Sequence, residues 1–150
     1  WPCTTDPGKQ ALLKPELYNA KGTAIMARGQ HKSAYVLGLH SNRYEALVER
    51  GPNPISYYRD ANRDTVLDLE PAKLETGHIG ANIHKAGEDS ARISGINSKG
   101  KAWTWSAGCQ VLKRSQDFNE LMDLAHLQIE THPNWTTFTY TLINEEDLWT

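Results

Sequence analysis

The chain has 150 residues, of which 39% are hydrophobic and 23% charged, with a formal net charge of −2. That is the size of one domain able to bury its own core, and the composition is globular rather than disordered. The charge and the lack of a Lys/Arg stripe argue against a nucleic-acid partner, and no apolar run approaches the roughly 18 residues of a membrane span.

The chain opens Trp1-Pro2-Cys3 rather than with Met, so the expectation is a processed or trimmed domain; a signal peptide is one segment that processing could have removed, and its absence says nothing of the compartment. Its two cysteines are Cys3 and Cys109. They are too few for a disulfide framework and include no C-x-x-C; a Cys3–Cys109 pairing is open, but it would silence a catalytic Cys109, so a free Cys109 is the expectation.

In chain order, short β-like runs alternate with turns over the first hundred residues. "GTAIMARGQ" and "SAYVLGLHSN" are two such runs, each closed by Gly or Asn. "RYEALVER" alternates through Tyr44, Ala46 and Val48, which favours a strand ahead of the "GPNP" turn over a short helix. "ISYYRD" is a further strand, rich in aromatic residues.

"RDANRDTVLDLE" then sets side-chain oxygens at Asp60, Asn62, Asp64 and Asp68. This D-x-N-x-D-x-x-x-D spacing is similar to a calcium loop, whose ligands fall at positions 1, 3, 5, 7 and 9, with Val66 offering a carbonyl at the seventh. A glycine at position 6 and a glutamate at position 12 are missing; Thr65 and Pro71 stand there. A polar turn capped by its own Asp and Asn side chains, or acids neutralised by Arg59 and Arg63, would read the same way. If calcium binds, its role is expected to be structural.

"HIGANIH" is expected as a strand. Six residues separate His78 from His84, so on a regular strand both would face one side. "SQDFNELMDLAHLQIETH" is the one clear helix, with Ser115 as expected N-cap and Phe118, Leu121, Met122, Ala125 and Ile129 largely on one stripe. Pro133 stops it. "WTTFTYTLI" follows as a strand with Trp135, Phe138, Tyr140 and Leu142 facing inward. No repeat, linker or boundary divides the chain, and the expectation is a single mostly-β domain over 1–150 with one long helix near its C-terminus.

The chemistry centres on "WTWSAGCQVL". A thiol is mostly protonated at neutral pH, so Cys109 as a nucleophile needs a base or a positive field. Of six histidines, His78 and His84 lie in the stretch upstream of it. Gly108 lets the backbone approach a substrate, and the amides around Cys109 could hold an oxyanion. A lone cysteine before Val-Leu can equally be a buried small hydrophobe. Trp103 and Trp105 alternate into the loop and could line a substrate groove or the core.

"NIHKAG" followed by a turn-rich stretch and "WSAGCQVL" resembles the motif of the L,D-transpeptidase (YkuD-type) catalytic domain, a His and then Ser/Thr-x-Gly-Cys. The wider run "YYRDANRD…TGHIGANIHKAG…WSAGCQVL…DFNELM" is similar to an uncharacterised phage and bacterial branch that carries this motif. The resemblance covers roughly residues 20 to 125. It implies a β-sandwich or barrel with a capping helix, and cysteine acyl transfer on peptidoglycan stem peptides.

By that resemblance Cys109 is the nucleophile, His84 its activating histidine, Ser106 the motif Ser/Thr, and Gly108 with Cys109 the oxyanion amides. No cofactor is needed for such catalysis. Ala107 stands where the family often has a second His, for which His78 is the substitute offered here, and Gln110-Val111 replaces an apolar residue followed by Arg or Asn. The resemblance implies a periplasmic, cell-envelope or secreted setting, or a phage-encoded lytic protein. Two alternatives stand beside it: an inert cell-wall-binding module of the same fold, and an unrelated cysteine hydrolase using His84 or His78.

Overall fold

The computed structural model describes residues 1–86, 94–96 and 102–149. The chain is mostly β, with one long helix near its C-terminus. Strands β1 (Thr23–Met26), β4 (Ile55–Asp60) and β5 (Glu75–Gly77) form one antiparallel sheet in the order β1-β4-β5. Strands β2 (Gly29–His40), β3 (Tyr44–Val48), β6 (Ile83–Lys85), β9 (Gln110–Leu112) and β10 (Thr137–Leu142) form a second, in the order β10-β2-β3-β6-β9. The short pair β7 (Ser94–Ile96) and β8 (Ala102–Thr104) stands apart from both. A one-turn helix, α1 (Lys9–Leu13), precedes the first strand.

The two larger sheets share one core. Met26, Ile55 and Tyr57 come to it from the first, and Tyr35, Leu47, Ile83 and Leu112 from the second. Helix α2 (Ser115–Thr131) adds Phe118, Met122 and Ala125, spaced by four and three residues so that they lie on one face. Leu124 stands off that stripe and is exposed. The helix starts differently from expectation. Ser115 is its first helical residue, and the N-cap is Arg114, whose side chain does not cap but grips Asp117 at 2.7–2.8 Å.

Two further expectations change. Trp135 is 64% exposed and precedes β10; Phe138, Tyr140 and Leu142 alone of the four pack against the core. The stretch from His78 to His84 is not one strand. β5 ends at Gly77, the chain turns through Gly80 at φ +72°, and β6 starts at Ile83. The shared face expected for the two histidines is therefore lost: His84 is buried, whereas the His78 side chain is 49% exposed.

What positions the site is the pairing of β6 with β9. It is parallel, with Ile83 opposite Gln110 and His84 opposite Val111, while β6 meets β3 antiparallel at Leu47. Gln110 N–H donates to Asn82 O at 3.0 Å and so carries the ladder back to Asn82, beside Cys109.

Candidate active site around Cys109

Cys109 lies just before β9, and both cysteines are free thiols. The loop that carries Cys109 is held by Ser106, which is fully buried. Ser106 Oγ donates to Cys109 O at 2.7 Å and accepts Gly108 N–H at 3.2 Å. Gly108 sits at φ +126°, where an L side chain is strained, and a Cβ there would come within 2.8 Å of Ala24 O. Ser106 and Gly108 thus shape the turn. The Gly108 amide is already engaged by Ser106, and among the described residues no hydrogen bond takes up the amide of Cys109.

The N-terminal segment braces the same loop. Thr4 N–H donates to Val111 O at 2.9 Å, Val111 N–H donates to Thr4 Oγ1 at 2.9 Å, and Thr4 Oγ1 donates to Cys109 O at 3.2 Å. Gly8 N–H reaches Ser106 O at 3.0 Å.

The thiol lies 3.6 Å from Gly80 O, to which it donates, and among the described residues no hydrogen bond joins it to an imidazole. Burial pushes its pKa up, the Asn82 N–H pulls it down, and the Glu49 charge raises it again. At rest Cys109 is therefore a thiol, and attack requires a base.

Two imidazoles are set up differently. His84 Nδ1 is 2.9 Å from Lys85 O. A carbonyl only accepts, so Nδ1 carries the proton and Nε2 keeps its lone pair. Its ring stacks on that of His40, centroids 4.1 Å apart. Burial pushes the His84 pKa down to about 4; the hydrogen bond to the Lys85 carbonyl opposes this, and the His40 charge acts with it. His84 is thus a neutral acceptor at ordinary pH. His78 Nδ1 lies 2.8 Å from Glu49 Oε1, which likewise leaves Nε2 as the acceptor if the ring is neutral.

Glu49, His40 and Asn82 were not foreseen from the sequence. Glu49 is 1% exposed, and its Oε2 accepts the amides of Ile79 at 2.8 Å and Gly80 at 2.7 Å. One carboxylate therefore fixes both the His78 ring and the turn whose Gly80 carbonyl meets the thiol. Asn82 Oδ1 accepts Glu49 N–H at 2.9 Å, and its amide nitrogen lies 3.0 Å from His40 Nδ1. A charged residue closing the apolar run "ALVE" was the available signal, since a strand buried on both faces has no solvated side for it.

Of the remaining expected residues, Trp105 is exposed next to the loop, and the Trp103 side chain lies outside the described residues. Asp60 ends β4, and Asn62, Asp64 and Asp68 follow in the loop after it, the four joined by hydrogen bonds. Among the described residues no three His, Cys, Asp or Glu side chains stand close enough together to hold a metal ion as they are placed. No helix among them is long and apolar enough to cross a membrane. A groove of about 710 Å³ lined in part by Ile25, Met26, Tyr58 and Leu142 includes neither Cys109 nor either histidine. In comparisons with known proteins the chain matches no family model, no curated protein and no solved structure.

Proposed function

We propose that the chain is a cysteine acyl transferase acting on peptidoglycan stem peptides, as an L,D-transpeptidase or an L,D-carboxypeptidase or endopeptidase. The observation that carries this reading is the parallel pairing of β6 with β9. It sets the His84 strand directly beside the strand that follows Cys109, so that two motifs separated by 25 positions become neighbours. The fixed tautomer of His84 and the amide of Cys109 add a base and an oxyanion donor to that nucleophile.

In this reaction Sγ attacks the carbonyl of the L,D-peptide bond after the third stem residue, a diamino acid. The thiol proton passes to an imidazole Nε2, the S–C bond forms, and the carbonyl oxygen gathers charge against the Cys109 amide. The C–N bond then breaks, the imidazolium returns its proton to the departing D-Ala amine, and the thioester passes to an amine or to water. A protonated thiol beside a neutral histidine calls for proton removal during attack rather than a preformed ion pair. His78 is the second candidate base, favoured by the buried Glu49 that orients it.

The test is incubation with tetrapeptide muropeptides, read by mass spectrometry, for the wild type, Cys109→Ala, His84→Ala and His78→Ala. Release of D-Ala that disappears in Cys109→Ala supports the reading. Whichever histidine variant falls by about 10²-fold or more identifies the base. Amine-extended products mean transpeptidation, and a bare tripeptide means hydrolysis. Unchanged muropeptides with the wild type would leave an inert wall-binding module or another thiol hydrolase.

A further inference from the structure

The loop after β4 begins at a buried carboxylate oxygen that no hydrogen bond satisfies. Asp60, the last residue of β4, is fully buried, and its Oδ1 has no hydrogen-bond partner. Its Oδ2 accepts the Asp68 amide at 3.3 Å, so the carboxylate faces the loop that Asp68 closes. A buried carboxylate oxygen without a donor or a cation is costly, and native proteins leave few of them.

The two arginines of the loop do not supply that cation. Arg59 neighbours Asp60 on the strand and so projects to the opposite face. Its Nη1 donates to Gly22 O at 3.1 Å, and its guanidinium lies 4.9 Å above the Tyr57 ring. Arg63 pairs with Glu16 at 3.6 Å. Lys73 is held by Glu70 at 2.9 Å and feels Asp68 only as a neighbouring charge.

From this arrangement we infer that residues 60–68 form a calcium site, with the carboxylates of Asp60, Asp64 and Asp68 and the Asn62 amide oxygen as ligands. The set is oxygen-only, anionic and carried by a loop outside any helix. That suits calcium, which accepts six to eight oxygens in loose geometry, better than magnesium, which demands a strict octahedron. Asn62 Oδ1 accepts the Asp64 amide at 3.1 Å, and Asp64 Oδ1 accepts the Val66 amide at 2.7 Å. Both side chains are therefore turned along the loop, and the cation completes the site by drawing Asp64 and Asp68 onto the fixed Asp60. The turn that a glycine at position 6 gives a calcium loop is made earlier here, by Arg63 at φ +66°.

The experiment uses the whole chain, stripped with a chelator, in calcium titration calorimetry and thermal unfolding. Calcium binds, and millimolar calcium raises Tm by roughly 5 °C, with a clearly smaller rise from magnesium. Asp60→Asn removes the response, and its calcium-free Tm is no lower than that of the wild type, because a buried charge has gone. Asp64→Asn, in an exposed position, weakens binding by roughly tenfold or more and decides the matter if Asp60→Asn does not fold. A wild-type Tm indifferent to calcium, an equal response to magnesium, or a response undiminished in Asp64→Asn would overturn the assignment. None of these readouts involves the thiol, so the result stands apart from the acyl-transfer reading.

Discussion

Glu49 holds three groups with two oxygens: the ring of His78 and the amides of Ile79 and Gly80. It also faces Cys109 electrostatically, where its charge adds to burial in raising the thiol pKa. Replacing it by Gln keeps an acceptor and removes the charge. Glu49→Gln is therefore expected to lower the Cys109 pKa without restoring its ordinary value, because burial, the larger cause, remains. The rate of alkylation by iodoacetamide, followed against pH with Cys3→Ser as background, reads this as a midpoint moved to lower pH. A midpoint that stays or rises would show that Glu49 does not set the thiol's field. Its mark in the sequence is faint: a Glu closing the apolar run "ALVE" reads by default as solvated, and only burial of the strand on both faces turns it inward. The turn at Gly108 and Cys109 was legible because a turn before an apolar run is a local pattern, whereas Ser106 drew notice only through the resemblance.

Helix α2 was legible for the same reason. Its stripe is a property of one continuous segment, and Phe118, Met122 and Ala125 are buried as their spacing requires. Phe118→Ala is expected to cost about 3–5 kcal/mol in urea unfolding, whereas Leu124→Ala, on the exposed side, should stay within about 0.5 kcal/mol. Comparable losses at both positions would mean that the exposed side is covered. The segment from His78 to His84 was misread because Gly80 breaks it, and alternation cannot register a turn inside an apolar run. The parallel pairing of β6 with β9 was beyond any local pattern. It joins residues on either side of a long connection, and only the assembled sheet decides it.

At the scale of the molecule, two stacked imidazoles meet, His84 buried and His40 partly exposed. His84 titrates near 4, and His40 is also held below the ordinary value by burial and by the Arg43 charge. The native state therefore keeps these rings neutral at a pH where the unfolded chain protonates them. Stability is full above about pH 6.5 and falls as pH drops toward 4, by on the order of 3 kcal/mol for His84. Urea unfolding at pH 7, 5.5 and 4.5 measures this slope, and His84→Gln should flatten it. An equally steep slope in that variant would place the acid sensitivity in other groups.

The N-terminal strap has a consequence of its own. β9 is the last strand of the five-stranded sheet, and an uncovered last strand offers its peptide groups to any other chain. Here Cys3 pairs antiparallel with Leu112, Lys113 N–H reaches Pro2 O at 3.0 Å, and Thr4 bonds Val111 in both directions. The same residues that steady the nucleophile loop thereby seal the margin of the sheet, so that recruitment of a foreign strand there, the first step of cross-β aggregation, would have to peel the strap away.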